Sequence, residues 1–203
     1  NEPETDCGLI QVYQYSSSSW TQLGDNIYGP SENDFNGYSL ELSSDGTILA
    51  AGAKGPGFSF RGIVRIYQYN ANDASWNQLG GSIEAVANYE NGYYISLSSD
   101  GTILAIGYPG FKRYVNGWKY STGRVRVFQY DSTKLTAETD ESSSEFGPVG
   151  WRRLGSDFED VDQQYNGHSV SLSSDGTILA FTSPLSSENG TRSGKAFIYQ
   201  YNN

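Results

Sequence analysis

The chain offers few residues for nucleophilic or acid–base catalysis. It has one histidine, His168, and one cysteine, Cys7, far apart in the sequence, so neither a Cys–His pair nor a zinc site is supported. Carboxylates are plentiful, but no two stand out as a glycosidase pair. No glycine-rich phosphate loop follows a strand and opens a helix. We therefore predict that the protein is not an enzyme, with no catalytic residue, cofactor or metal site.

Aromatic and basic residues are concentrated between positions 108 and 120, with a smaller group at 58–61. Exposed aromatic rings beside arginine are typical of protein interfaces and of platforms on which sugars stack. A site for a ligand or partner is therefore predicted at Phe58, Phe60, Arg61, Tyr108, Phe111, Arg113, Tyr114, Trp118 and Tyr120. The alternative is that these rings pack on one another to order a long loop.

Two residues could be covalently modified. Cys7 is the one cysteine of the chain, so it cannot form a disulfide within it. It is either a small buried residue or forms an intermolecular disulfide. Asn189 begins the triplet Asn-Gly-Thr, an acceptor for N-glycosylation that requires a secretory pathway. His168 stands where the other repeats have tyrosine, and we predict that it packs rather than acts as a base.

The elements that must position these residues are repeated. The stretch SLSSDGTILA occurs at 96–105 and again at 171–180, and ELSSDGTILA occurs at 41–50. Asp-Gly between apolar segments is a strong signal for a β-hairpin. Two further elements recur, of the types GIVRIYQY (62–69) and SWNQLG (75–80). The repeating unit is thus four β segments, named A (before SSDGT), B (TILA and the residues after it), C (the YQY element) and D (the SWNQLG element).

Four antiparallel strands per unit, covered on both faces by neighbouring sheets, are the plan of a β-propeller blade. We predict an all-β fold of propeller-like repeats with four-stranded antiparallel blades, about three blades plus one spare strand. The whole of 1–203 forms one array: segments C and D in 1–37, repeat 1 in 38–92, repeat 2 in 93–167 and a partial repeat 3 in 168–203. The long acidic loop at 131–149 is predicted to be a mobile excursion.

The formal net charge of −10 argues against nucleic acid and anionic membrane surfaces as partners. No apolar run is long enough for a membrane helix, so no membrane insertion is expected. Three blades do not readily close a ring, since propellers have about four to eight. This favours a longer polypeptide over the alternative, in which copies of the chain or other protein chains pair at open strand edges.

The units resemble the FG-GAP repeats of integrin-α-like β-propellers. DFNGYS (34–39), YENGYY (89–94) and YNGHS (165–169) stand where that family has Phe-Gly, and GAK (52–54), GYP (107–109) and TSP (182–184) stand where it has Gly-Ala-Pro. Calcium-binding FG-GAP units have several aspartates in the turn, whereas each turn here has one carboxylate, Asp45, Asp100 or Asp175. We therefore predict that these aspartates accept backbone hydrogen bonds and do not bind calcium.

Together these features predict a non-enzymatic structural, adhesive or assembly module that is extracellular or located on a cell surface. The repeats would supply rigid sheets, and the variable loops would supply contacts. The alternative is a carbohydrate-binding lectin that uses the aromatic loops between segments B and C, with glycans as partners.

Overall fold

The computed structural model describes residues 6–54, 61–85, 94–115, 118–159 and 165–201. Within these ranges the regular elements are β-strands joined by turns. No helix in this part of the chain is long and apolar enough to cross a membrane.

The described residues form short strands that follow the repeated segments of the sequence. In chain order they are β1 (Leu9–Ile10), β2 (Tyr13–Ser16), β3 (Ser19–Gln22), β4 (Ile27–Tyr28), β5 (Ser39–Leu42), β6 (Ile48–Ala53), β7 (Ile63–Asn70), β8 (Ser75–Gln78), β9 (Ile83–Glu84), β10 (Tyr94–Leu97), β11 (Ile103–Tyr108), β12 (Arg113–Val115), β13 (Trp118–Tyr120), β14 (Arg124–Tyr130), β15 (Trp151–Arg153), β16 (Val170–Leu172), β17 (Ile178–Ser183) and β18 (Lys195–Gln200).

The described strands form six sheets, and five of these make up four units, which we call blades 1 to 4. Blade 2 has the strand order β5-β6-β7-β8, with β9 also paired to β7, and blade 3 has the order β10-β11-β14-β15. Blade 1 contains the hairpin β2-β3 and the pair β1-β4, and blade 4 contains β16-β17-β18. All the strand pairs are antiparallel. This order confirms the predicted all-β architecture of four-stranded, propeller-like blades.

Segment D is bent rather than a single outer strand. In blade 2, β8 pairs with the end of β7 and β9 pairs with its beginning at Ile63 and Val64. The bend between them contains Gly80, whose φ of 76° lies in the left-handed region that favours glycine. The bend lets both parts of this segment pair with β7, β8 at its end and β9 at its beginning.

The B strands of blades 2 and 3, β6 and β11, are buried on both faces, which explains their apolar sequences. Leu49 and Ala51 of β6 pack toward blade 1 with Ile10. Ala50, between them, belongs to the cluster shared with blade 3, together with Leu104. Because successive residues of a strand point to opposite faces, alternation places apolar side chains in both inter-blade layers. The hydrophobic core is therefore divided into layers between neighbouring blades.

Neighbouring blades are joined by a tryptophan in segment D. The indole Nε1 of Trp76 donates a hydrogen bond of 2.8 Å to the carbonyl oxygen of Leu23 in the preceding blade. Trp151 donates in the same way to Leu79, at 2.9 Å. Trp151 is 0% exposed, so this contact satisfies the only polar atom of a large buried side chain.

The A–B turns of successive blades are also hydrogen bonded. The backbone N–H of Ser44 donates to the carbonyl of Ser99 at 2.9 Å, and the N–H of Ser99 donates to Ser174 at 2.8 Å. A Cβ placed on Gly101 would lie 2.6 Å from Cδ1 of Ile48, a distance too short for two carbon atoms. At Gly101 the turn therefore needs glycine for the contact between blades as well as for its φ of 74°.

The acidic segment 131–149 packs along the outer edge of blade 3. The N–H of Arg153 donates to the carbonyl of Phe146 at 2.8 Å, and Glu138 and Gly147 form a further bridge. The side chains of Phe146 and Lys134 are buried. The prediction of a mobile excursion is therefore wrong, because this segment buries apolar surface and covers a strand edge that would otherwise be open.

Candidate functional site

The predicted aromatic loop between segments B and C of blade 3 forms a hairpin of its own. Strands β12 and β13 make a separate two-stranded sheet, in which Arg113 lies opposite Tyr120 and Tyr114 lies opposite Lys119. Directly opposed residues share a face of the sheet, so Arg113 and Tyr120 are on one face and Tyr114 is on the other. The residues Tyr114 and Tyr120 are 66% and 45% exposed. This hairpin therefore presents tyrosine on both of its faces.

An ion-pair network lies at the base of the hairpin. Arg124 Nε is 2.6 Å from Glu159 Oε1, and Arg113 Nη1 is 3.8 Å from the other oxygen of the same carboxylate. Arg124 also contacts Glu141 at 2.9 Å. Because Arg124 is the first residue of β14, this network connects the hairpin to the blade and fixes its base.

The network continues along β14 to a second buried arginine. Arg126 Nη2 lies 2.9 Å from Asp157 Oδ2 and also contacts Glu141. Arg153 of β15 lies 3.6 Å from the same aspartate. Beside Arg113 of the hairpin, four chain segments therefore supply the charges: β14, the acidic segment that covers blade 3, β15, and the D–A loop that follows β15.

Two aromatic rings lie against these guanidinium groups. The Cζ atom of Arg124 is 3.6 Å from the centre of the Phe111 ring, and that of Arg126 is 4.8 Å from the centre of the Phe146 ring. Stacking of this kind is favourable for arginine, whose planar group is weakly hydrated. Phe111 is thus held beneath arginine and does not face a ligand.

The structure divides the nine predicted binding residues into separate groups. Tyr108 and Phe111 are buried in the hydrophobic core, so their assignment to a ligand surface is corrected. Arg113, Tyr114 and Tyr120 are exposed on the hairpin. Trp118 belongs to β13, and its side chain lies outside the described part of the chain, as do Phe58 and Phe60.

The remaining member, Arg61, lines a different cavity. This groove has a volume of about 400 Å³ and lies between the β9 region of blade 2 and the acidic segment of blade 3. Its floor includes Ile83 and Phe146, and Glu84 and Glu138 join Arg61 in its lining. The lining of the groove is mainly apolar and contains both positive and negative side chains. These features do not favour one class of ligand over another.

One signal in the sequence identifies the hairpin more sharply than its aromatic content does. The 30 residues from 101 to 130 contain five lysine or arginine residues and no aspartate or glutamate. The other 173 residues contain 8 of the 13 cations and all 23 acids, a net charge of −15. Positive charge is therefore concentrated in this part of the sequence, although the chain as a whole is acidic. The carboxylates that pair with Arg124 and Arg126 could not have been found from spacing, because they come from distant loops.

The carboxylate groups of the aspartates in the A–B turns accept hydrogen bonds from other residues of the same turn. Asp175 Oδ1 accepts hydrogen bonds from the hydroxyl of Ser173 and from the N–H of Thr177, the latter at 3.0 Å. These two donors, the serine hydroxyl first, lower the pKa of Asp175 to about 2. The same bonds form at Asp45 and Asp100. The prediction that these residues accept backbone hydrogen bonds is confirmed. Among the described residues, no cluster of three or more acidic, histidine or cysteine side chains could hold a metal ion.

The other predicted residues of chemical interest are placed as follows. Cys7 is a free thiol and is buried, a position that favours packing over the predicted intermolecular disulfide. His168 stacks on Tyr94 with ring centres 5.1 Å apart. Asn189 is exposed in the turn between β17 and β18, where a glycan would have room, and its glycosylation remains a prediction.

Comparison with known proteins gives a likeness in fold alone. No family model and no curated protein sequence matches the chain. The chain is similar to hydrazine synthase of Kuenenia stuttgartiensis, with a TM-score of 0.49 and 14% identity over 98% of this chain and 57% of that one. It is similar to the periplasmic gluconolactonase of Pseudomonas aeruginosa, with a TM-score of 0.48 and 19% identity over 94% of this chain and 46% of that one. The chain thus spans about half the length of the structures it matches.

One of the predictions is affected by these likenesses. The second structure is that of a gluconolactonase, an enzyme. The prediction that the protein is not an enzyme is contradicted by this likeness, and we withdraw it. The resemblance to FG-GAP repeats rests on the sequence motifs and remains a prediction.

Proposed function

We propose that the protein is an extracellular adhesion module that binds carbohydrate carrying carboxylate groups through the β12-β13 hairpin. The observation that carries this proposal is the exposure of Tyr114 and Tyr120 on a hairpin separate from the blades. A tyrosine ring offers a flat apolar surface to the C–H face of a sugar and a hydroxyl at its edge. The blades would serve as the scaffold that holds this hairpin outward.

The charge around the hairpin supports an acidic sugar over a neutral one. Arg113 is opposite Tyr120 on the same face, and its side chain is 51% exposed. Its contact with Glu159, at 3.8 Å, is longer than a hydrogen bond. A carboxylate of a ligand could therefore bind the guanidinium in a shorter, bidentate geometry. At physiological salt, charges beyond about 8 Å are largely screened, so the acidity of the rest of the chain does not prevent this contact.

An extracellular location is part of the proposal. Its support is the exposed Asn189 in its glycosylation triplet. An acidic polysaccharide on a cell surface or in an extracellular matrix would be accessible to a protein in this location.

Isothermal titration with a tetramer of galacturonic acid tests the proposal, and a tetramer of galactose is the neutral comparison. We expect saturable binding of the acidic sugar, weaker at high salt. Tyr120→Ala should weaken it about fivefold, as expected for the loss of one ring contact. Arg113→Gln should weaken binding of the acidic tetramer and leave any binding of the neutral one unchanged.

The control is Tyr13→Ala, which removes a tyrosine of similar exposure, 46%, from β2 of blade 1. Its binding should equal that of the parent chain. The proposal fails if neither sugar binds, or if Tyr13→Ala and Tyr120→Ala reduce the affinity equally.

A further inference from the structure

Asparagine followed directly by glycine occurs five times in the chain. This dipeptide has a chemistry of its own, because glycine has no Cβ that keeps the asparagine side chain away from its backbone nitrogen. The pairs at 91–92 and 116–117 lie outside the described residues. The other three are Asn36–Gly37, Asn166–Gly167 and Asn189–Gly190, and the structure places them in different surroundings.

The first two of these pairs are packed inside the fold. Asn36 and Asn166 are 4% and 2% exposed. The N–H of Gly167 donates a hydrogen bond of 3.0 Å to the carbonyl oxygen of Thr182. A Cβ placed on Gly167 would lie 2.8 Å from Cα of Gly107, so the glycine is needed there for the close approach of two segments of backbone.

The third pair lies in the loop between β17 and β18, and both of its residues are exposed. The N–H of Gly190 faces the carbonyl oxygen of Ser187 at 3.4 Å, longer than the usual N–H···O distance of about 2.7–3.2 Å. A Cβ placed on Gly190 would meet no atom within 4 Å. The loop is closed by a bond of its own, from the N–H of Gly194 to the carbonyl of Ser186 at 3.0 Å. The exposure of Asn189 is therefore a local property of this loop.

We propose that Asn189 is a self-modification site, at which the side-chain amide is converted to a carboxylate without an enzyme. The backbone nitrogen of Gly190 attacks the side-chain carbonyl carbon of Asn189, and the new N–C bond closes a succinimide ring. The C–N bond of the side-chain amide breaks, and its nitrogen leaves as ammonia with the proton of the Gly190 N–H. Water then adds to either carbonyl carbon of the ring and opens it, which gives aspartate or isoaspartate. Nothing is oxidised or reduced, and water is the co-reactant.

The structure selects Asn189 over the two packed pairs. Ring closure needs a glycine nitrogen that can lose its proton and an asparagine side chain that can turn toward it. At Gly167 the N–H is held by Thr182, and Asn166 is buried. Groups held in this way react only after the segment opens locally. At Asn189 the surroundings impose neither restriction.

The conversion has two consequences for the loop. It replaces a neutral amide with a carboxylate beside Glu188, and the isoaspartate product lengthens the main chain by a methylene group. It also removes the asparagine of the Asn-Gly-Thr triplet, so self-modification and glycosylation of Asn189 exclude each other. The inference is independent of the carbohydrate site on the β12-β13 hairpin.

Peptide mapping by mass spectrometry tests the proposal on the unglycosylated chain, incubated in its folded form at mildly alkaline and mildly acidic pH. We expect the peptide with Asn189 to gain the mass difference between OH and NH2, faster at the higher pH because the attacking nitrogen must lose a proton. The peptides with Asn36 and Asn166 should convert at least about tenfold more slowly, because they must first open. In chain unfolded by urea, the three peptides should convert at similar rates.

The internal control is Asn77, which is exposed but followed by Gln78; its peptide should keep its mass. Asn189→Gln should slow the conversion at least about tenfold, because the longer side chain loses the near-attack geometry. Thr191→Ala removes the glycan acceptor and keeps the Asn-Gly pair, so it should leave the rate unchanged. The proposal is overturned if the Asn189 peptide keeps its mass at the higher pH, or if Asn36 and Asn166 convert as fast as Asn189 in the folded chain. A rate that falls in Thr191→Ala would contradict the mechanism, in which only Asn189 and Gly190 take part.

Discussion

The A–B turns are alike in all three blades that have them, whereas the arginine sites of β7 and β14 differ although they occupy the same position in the repeat. Every turn has the same serine, aspartate and threonine hydrogen bonds. Arg65 of β7 pairs with one buried carboxylate, Asp34, at 2.7 and 3.2 Å. Arg126 of β14 belongs to a network with Asp157 and Glu141.

The difference follows from where the partners lie in the chain. The partners in a turn are two residues apart, so copying ten residues copies the whole hydrogen-bonded unit. Asp34 is 31 residues before Arg65, and Asp157 is 31 residues after Arg126. Each repeat therefore obtains its counter-charge from a different loop. Local hydrogen bonds are inherited with the repeat, and buried charges are neutralised separately in each blade.

The largest effect is expected at the isolated pair in blade 2. Asp34→Ala leaves the guanidinium of Arg65 buried, at 6% exposure, without its carboxylate. Breaking a buried ion pair from one side costs about 3–5 kcal/mol. Urea denaturation should therefore show a large loss of unfolding free energy. The double variant Asp34→Ala with Arg65→Met should recover part of it, because no unpaired charge remains. If the loss of unfolding free energy in the double variant equalled the sum of the losses in the two single variants, the two side chains would not be paired.

A smaller effect is expected in the network of blade 3. With Glu141→Gln, Arg124 keeps Glu159 at 2.6 Å and Arg126 keeps Asp157 at 2.9 Å. Because Glu141 is itself partly exposed, the loss should be about 1 kcal/mol or less, as for partly solvated ion pairs. The same denaturation measurement applies, and salt should reduce the effect. The control is Glu145→Gln, which removes a more exposed carboxylate 3.7 Å from Arg152. A loss as large as that of Asp34→Ala would mean that the network behaves as one isolated pair.

The smallest effect is expected at a turn and depends on pH. The pKa of Asp175 is lowered from 3.8 to about 2 in the folded chain, first by the hydroxyl of Ser173 and then by the N–H of Thr177. A lowered pKa means that the charged form stabilises the fold. This contribution is present above about pH 4 and is lost as the pH falls toward 2.

An NMR titration of the Asp175 carboxyl group would measure this directly. Ser173→Ala removes the larger cause, so the pKa should rise toward its ordinary value. Ser174→Ala changes the neighbouring exposed serine and should leave the pKa unchanged. Equal pKa values in the two variants would show that the hydroxyl of Ser173 is not responsible.

The regular elements could be predicted because their information is local. The alternating and apolar segments define strands A, B and C, and Asp-Gly defines the hairpin turn between A and B. The bend in segment D was not predicted, because the pairing of β9 with β7 decides it. The packing of segment 131–149 was missed for a related reason: its composition is acidic and polar, and only Phe146 signals that it covers a blade.

The candidate site was predicted in part. The hairpin residues Arg113, Tyr114 and Tyr120 were found from their types, but Tyr108 and Phe111 could not be separated from them without knowing which side chains are buried. A ring that packs on arginine and a ring that faces solvent have the same sequence signature. Burial separates them, and burial depends on the neighbouring loops.

By itself the sequence determined the repeating unit, with its four segments and its strand order. It also determined the three A–B turns, in which the aspartate accepts hydrogen bonds from residues of the same turn. These follow from interactions between residues a few positions apart, so they are present wherever the segment is repeated. Only the tertiary structure decided which charges meet and which aromatic rings are exposed. Most of these features depend on contacts between residues 15 to 72 positions apart, and a repeated local pattern does not specify them.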